Sequence, residues 1–139
     1  MHGRVEEFPN VEIVISGYSA RVIREWYTHI GCLPSRLQES TRYIDESDFE
    51  FITPKSVEDI EEALKEYEDL MLHIRSSYSK LIKLGVPKED AANILPLGMV
   101  TLIVDKRNVR NFIDMCKNRL CNRAYWEFRD LMKDICKAL

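Results

Sequence analysis

Two periods of hydrophobic and polar positions alternate along this chain, and each change of period marks a predicted change of element. Residues 11–16 are rich in β-branched side chains and run into Gly17, which reads as a strand with its stop. Ser19 then stands at a cap position, and Val22, Ile23, Trp26, Tyr27 and Ile30 recur at helical spacing before Gly31. This predicts a helix of about three turns. A loop begins at residues 33–35 and carries the segment Gln38-Glu39-Ser40-Thr41-Arg42-Tyr43 on irregular backbone, where ligand contacts commonly sit.

The longest periodic stretch is apolar at Ile60, Leu64, Tyr67, Met71, Ile74, Tyr78 and Leu81, in steps of four and three. Ser56 and Asp59 have the spacing of a capping box ahead of it, and Gly85 closes it. One helix of about 28 residues is predicted, about 40 Å long, and its nearly continuous apolar stripe predicts packing against a partner chain. Pro87 suits the first turn of a short helix that Pro96 must end. Residues 99–104 read as a second strand. From Asp105 onward Val109, Phe112, Met115 and Cys116, then Trp126, Phe128, Leu131 and Ile135, predict one or two amphipathic helices. The predicted class is α+β, mostly helical with a small sheet, in one domain over residues 1–139.

Composition changes this picture little. With 139 residues, 45% hydrophobic and 31% charged, the chain is long enough to bury about two-thirds of its unfolded surface, and no apolar run approaches a membrane span. No secretory signal is legible at residues 1–9, so a cytoplasmic location is expected. Cys32, Cys116, Cys121 and Cys136 have no C-x-x-C spacing, which argues against a zinc knuckle or a redox pair and for buried thiols. Cys121, two residues from Arg123, is the candidate for a reactive thiolate. No metal site is expected.

Charge is more informative. The net charge is −3, yet residues 45–70 hold eleven acidic and two basic side chains, whereas residues 105–139 hold nine basic and five acidic. The basic C-terminal part either faces an anion, phosphate above all, or presents a solvated helix face. Nucleic-acid binding is disfavoured by the overall negative charge and by the scarcity of aromatics among the basic residues.

Three groups of residues can carry chemistry. Glu25 and His29 are four apart and share a helix face, as either a surface ion pair or part of a site. Ser40 and Arg42 combine a hydroxyl with a guanidinium fork, which suits a phosphate or a planar base edge. Asn108, Arg110, Arg119 and Arg123 put an amide and three fixed cations on the last helical region. An arginine beside a pyrimidine stabilises charge developing on the ring carbonyls during attack at the neighbouring carbon. No P-loop, G-x-G-x-x-G, H-E-x-x-H or G-x-S-x-G occurs, so kinases, Rossmann dehydrogenases, zincins and α/β-hydrolases lack motif support.

The segment 38–43, the Asn108-x-Arg110 pair and residues 119–127 together resemble the flavin-dependent thymidylate synthases, whose signature is R-H-R-x-x-S-x-N-E-x-S-x-R-Y. Ser40, Arg42 and Tyr43 match S-x-R-Y, residues 24–30 stand where the family has R-Q-x-x-R-H-R, and Arg119 falls in register before the family's A-Q-W-E. The resemblance implies the core of that fold without the family's N-terminal portion. It implies conversion of dUMP to dTMP with methylenetetrahydrofolate, reduced FAD and NADPH, in a homotetramer whose active sites are shared between subunits. By position, Arg119 would be the activating cation; Glu25, Ser40, Arg42 and Arg119 would bind dUMP; His29, Gln38 and Asn108 would contact FAD.

The chain also departs from the signature. Thr28 and Ile30 replace both arginines of R-H-R, Glu25 replaces the glutamine, Ala92 an arginine and Tyr125 a glutamine, and two extra residues lie between His29 and Ser40. Two readings therefore stand: a compact synthase in which Arg36 or Arg24 substitutes for the lost cations, or a non-catalytic nucleotide-binding or oligomeric regulatory module with the same fold.

Overall fold

The computed structural model describes residues 4–31 and 33–139. A 3-10 turn at Val5–Glu7 leads into β1 (Asn10–Ser19), α1 (Ala20–Trp26), β2 (Ser35–Gln38), α2 (Lys55–Glu58), α3 (Glu61–Lys83), α4 (Lys88–Ala91) with a 3-10 turn at Ala92–Ile94, β3 (Val100–Asn108), α5 (Val109–Arg119) and α6 (Trp126–Ala138). The class is α+β with one three-stranded sheet in the order β1-β3-β2. Residues 1–18, 22–38 and 102–139 form one compact unit and residues 19–21 and 39–101 another.

The first unit holds the sheet, α5 and α6. Its core joins Val11, Ile15, Val22, Ile23, Trp26, Ile103, Phe112, Met115, Phe128, Leu131, Met132 and Ile135. The period-2 pattern of β3 explains the placement, because Ile103, Asp105 and Arg107 all point inward while Leu102, Val104 and Lys106 point out. Gly17 does not end β1. The strand runs through it to Ser19, and Gly17 takes φ +77, which costs glycine no Cβ clash.

Two expectations change here. Residues 35–38, predicted as loop, form β2, pairing antiparallel to β3 with Arg36 opposite Asp105 and Leu37 opposite Val104. A four-residue edge strand is too short for its period to show in sequence; its partner strand defines it. β3 itself continues four residues beyond the predicted end at Val104, because Asp105 and Arg107 keep the inward alternation although both are charged.

The second unit is built on α3. Phe49, Met71 and Met99 make its core, with Phe51, Tyr67, Ile74 and Leu95 against them. The long predicted helix is broken near its start. α2 is a separate single turn, and Ile60 between the two is extended at φ −127, ψ 105. Ser56 lies inside α2, which Pro54 precedes without a side-chain cap, so the predicted capping box does not form. At the other end Gly85 takes φ +86, and Val86 N–H and Gly85 N–H donate to the carbonyls of Leu81 and Ile82. This is a Schellman closure, as the glycine predicted.

Of the cysteines predicted to be buried, Cys116 and Cys121 are half-buried and Cys136 is exposed. Cys32 lies outside the described residues. Cys116 and Cys136 are 3.8 Å apart at sulfur, and burial, then Cys136, pushes the Cys116 thiol up to about 11. No helix among the described residues is long and apolar enough to cross a membrane.

Candidate functional site

The site in the first unit starts from the end of α1. That helix stops at Trp26, but the N–H groups of Thr28 and His29 donate to the carbonyls of Glu25 and Trp26, so the chain stays coiled for one more turn. Glu25 and His29 thus remain on one face, as their spacing predicted. Their partner is not each other. Arg119, last residue of α5, donates from Nε to His29 Nε2 at 2.9 Å and from Nη1 to Glu25 Oε2 at 3.1 Å. Its guanidinium also lies 4.7 Å over the Phe128 ring, and His29 meets the same ring edge-on. Arg119 is therefore held by three side chains from two segments, α1 with its extra turn and α6, and the cation has one orientation.

Because His29 accepts from Arg119 at Nε2, the imidazole is neutral and carries its proton on Nδ1. Burial, followed by the charges of Arg119, Arg107 and Arg36, lowers its pKa from 6.5 to about 4. Between these values the unfolded chain binds a proton that the folded chain refuses, so stability falls as the pH drops from about 6.5 to about 4. We expect the urea midpoint of the wild-type chain to decline over that window and the decline to be shallower in His29→Gln; equal slopes would mean that His29 is not held neutral.

Beneath this cluster lies a second one, absent from the sequence reading. Arg107 and Asp105 are fully buried and form a two-bond ion pair, Nε to Oδ2 at 2.6 Å and Nη2 to Oδ1 at 2.7 Å. Trp26 Nε1 donates to Asp105 Oδ1 at 2.9 Å, and the Arg107 guanidinium is 4.5 Å from the Trp26 ring centroid. Arg107 Nη1 donates to Asn111 Oδ1 and contacts the Met115 sulfur. Asn111 passes the chain on, from Nδ2 to Gly31 O at 2.7 Å. The available signal was two charged residues two apart at inward positions of a strand.

The other predicted residues are placed as follows. Asn108 ends β3 and caps α5, its side-chain oxygen accepting from Asn111 N–H at 2.9 Å. Gln38 ends β2 opposite Ile103 and is exposed. Arg110 is exposed, near Glu6 and Asp114. Arg24 is exposed on α1, whereas Arg36 on β2 is half-buried. Thr28 turns its hydroxyl back to Glu25 O at 2.6 Å, and Ile30 is 67% exposed.

Ser40 and Arg42 belong to the second unit. They form a turn in which Ser40 Oγ accepts from Arg42 N–H, and Arg42 Nε pairs with Glu89 at 2.7 Å. Both partners of that pair are more than half exposed, so it contributes little to stability.

Beyond Arg119 the α5–α6 connection encloses an open cavity of about 240 Å³ lined by Lys117, Asn118, Arg119, Cys121, Arg123 and Ala124. Three of the six are cations and none is acidic, which suits an anion. The backbone and side chain of Arg123 lower the Cys121 thiol pKa. Among the described residues no group of three or more His, Cys, Asp or Glu is placed to hold a metal ion.

The sequence of the chain is similar to those of known proteins. The flavin-dependent thymidylate synthase of Pyrococcus furiosus is 36% identical over 103 residues, covering 71% of this chain and 42% of that protein. That of Geobacter sulfurreducens is 30% identical over 140 residues, covering 99% of this chain and 60% of the relative. That of Sulfurisphaera tokodaii is 41% identical over 78 residues, 56% of this chain and 30% of the relative. The chain thus spans less than two thirds of the length of these curated relatives. The family model described as thymidylate synthase complementing protein matches residues 1–139, and this chain belongs to that family.

Proposed function

We propose that this chain works as a flavin-dependent thymidylate synthase, converting dUMP to dTMP with methylenetetrahydrofolate, NADPH and FAD in the cytoplasm. The observation that carries the reading is Arg119, a guanidinium clamped by His29 and Glu25 and stacked on Phe128. A cation so fixed stabilises charge growing on a pyrimidine carbonyl without having to reorganise. Arg119 is the catalytic cation, and Glu25, Ser40, Arg42 and Arg119 are the residues assigned to dUMP, contributed to sites shared between subunits.

His29, Gln38 and Asn108 are assigned to FAD. A neutral imidazole whose Nδ1–H is left to donate, together with the exposed Gln38 amide and the amide nitrogen of Asn108, whose oxygen caps α5, matches the donors and acceptors along a flavin ring edge. When bound, FAD supplies the redox chemistry that turns a folate-borne one-carbon unit into a methyl group. The chain's part is to orient the nucleotide, to hold charge at Arg119 and to keep His29 unprotonated near neutral pH.

The test is the visible spectrum after incubation with FAD and desalting, repeated with dUMP, followed by a turnover assay. Retained flavin whose spectrum shifts with dUMP, together with dTMP formation, supports the synthase. A second reading rests on Thr28 and Ile30, neither of which brings a cation to the site: the chain binds a nucleotide or its own copies without turnover. Nucleotide binding without flavin retention would select it.

Assembly as a homotetramer is part of the proposal. Leu70 and Leu72 of α3 are at least half exposed and are expected to be covered there. Light scattering should give a mass of several chains; a monomer would remove the shared-site model.

A further inference from the structure

Arg36 is the charge around His29 that the described contacts leave unbalanced. Three guanidinium groups lower the His29 pKa, those of Arg119, Arg107 and Arg36. Asp105 neutralises Arg107 and Glu25 neutralises Arg119, but no carboxylate among the described residues pairs with Arg36. Its guanidinium lies 4.5 Å from the Tyr27 ring centroid, and that ring supplies a face and no acceptor. Its Nη1 is buried without any hydrogen-bond partner. A charged donor shut from water and left unpaired is costly, and native structures keep few of them. Asp105, directly across the strand pair from Arg36, is already occupied by Arg107 and Trp26. The acceptor must come from another molecule.

We propose that Arg36 binds a phosphate oxygen of a ligand seated beside His29, supplying from β2 the cation that Thr28 and Ile30 do not. This rests on the synthase reading for the identity of the ligand, which is the diphosphate of FAD or the monophosphate of dUMP. A phosphate oxygen gives the guanidinium a charge-assisted acceptor that a nucleoside or a bare flavin ring lacks. Arg24, the other candidate cation, is exposed on α1 and has no comparable orphaned donor.

The experiment compares wild type, Arg36→Gln and Arg36→Lys in titrations with two pairs of ligands, FAD against riboflavin and dUMP against deoxyuridine. In one pair the wild type is expected to prefer the phosphorylated member, and Arg36→Gln to reduce that preference by about 10- to 100-fold while binding the unphosphorylated member unchanged. The affected pair identifies the phosphate, and Arg36→Lys should recover part of the preference through its charge. Undiminished preference in both pairs in Arg36→Gln overturns the proposal. Should the wild type bind neither FAD nor dUMP, the synthase reading fails separately, and inorganic pyrophosphate followed through the arginine Nε–H resonances becomes the deciding probe. A shifted Arg36 signal keeps Arg36 as an anion site; an unmoved one gives the missing acceptor to water and ends the proposal. A near-ultraviolet dichroism spectrum matching wild type excludes misfolding of either variant.

Discussion

Replacing Arg119 by alanine is expected to lower dTMP formation by about 10²- to 10³-fold, the usual cost of removing one preorganised donor from a developing oxyanion. Stability should change far less. The Arg119–Glu25 pair is 23% and 29% exposed, and a partly solvated pair contributes about 1 kcal/mol or less. Arg119→Lys restores the charge but cannot reach both His29 and Glu25 as a planar fork while lying over Phe128, so only part of the rate should return. The measurement is turnover of dUMP with folate, flavin and reductant, alongside a urea titration of each variant. An alanine variant that turns over at the wild-type rate would take Arg119 out of the mechanism, whatever its contacts.

The largest effect on folding should come from Asp105→Ala. Removing one partner of a fully buried ion pair leaves the other charge uncompensated, at a cost of about 3–5 kcal/mol. Typical domains have only about 5–15 kcal/mol in total. Here the loss extends further, because Trp26 Nε1 loses its acceptor and the Arg107 guanidinium loses both of its short bonds to Asp105. The double variant Asp105→Leu with Arg107→Met removes both charges together and should be less destabilised than Asp105→Ala alone, since no buried charge is left unpaired. Urea unfolding of the three proteins decides this. Equal losses in the single and double variants would show that the pair's charges are not the source of the effect.

These two arginines illustrate what could be read from sequence. Arg119 was legible because it stands in a short run of cations near the family's Trp-Glu motif. Its real partners were only half legible: spacing put Glu25 and His29 on one face, yet the natural inference from spacing was that they paired with each other. Arg107 left only a signal that the sequence did not let stand. A charged residue two positions from another charged residue reads as surface, and the alternation that carries both inward counts only once the strand is known to continue past Val104. Arg36 was named as one of two substitutes for the missing cations, and its burial on a strand that sequence had read as loop separates it from Arg24.

The sequence by itself determined the local features: the β-branched run of β1, the apolar stripe of α3, the Gly85 closure, the short helix between Pro87 and Pro96, and the α+β class. These depend on period and on single-residue backbone preferences, which act within a few positions. The tertiary structure alone decided that α3 is preceded by a separate turn, that residues 35–38 are a strand, and that Arg119 meets residues some ninety positions away. Such contacts depend on which elements pack together, and a charge or a hydroxyl carries no mark in sequence of the distant group that will satisfy it.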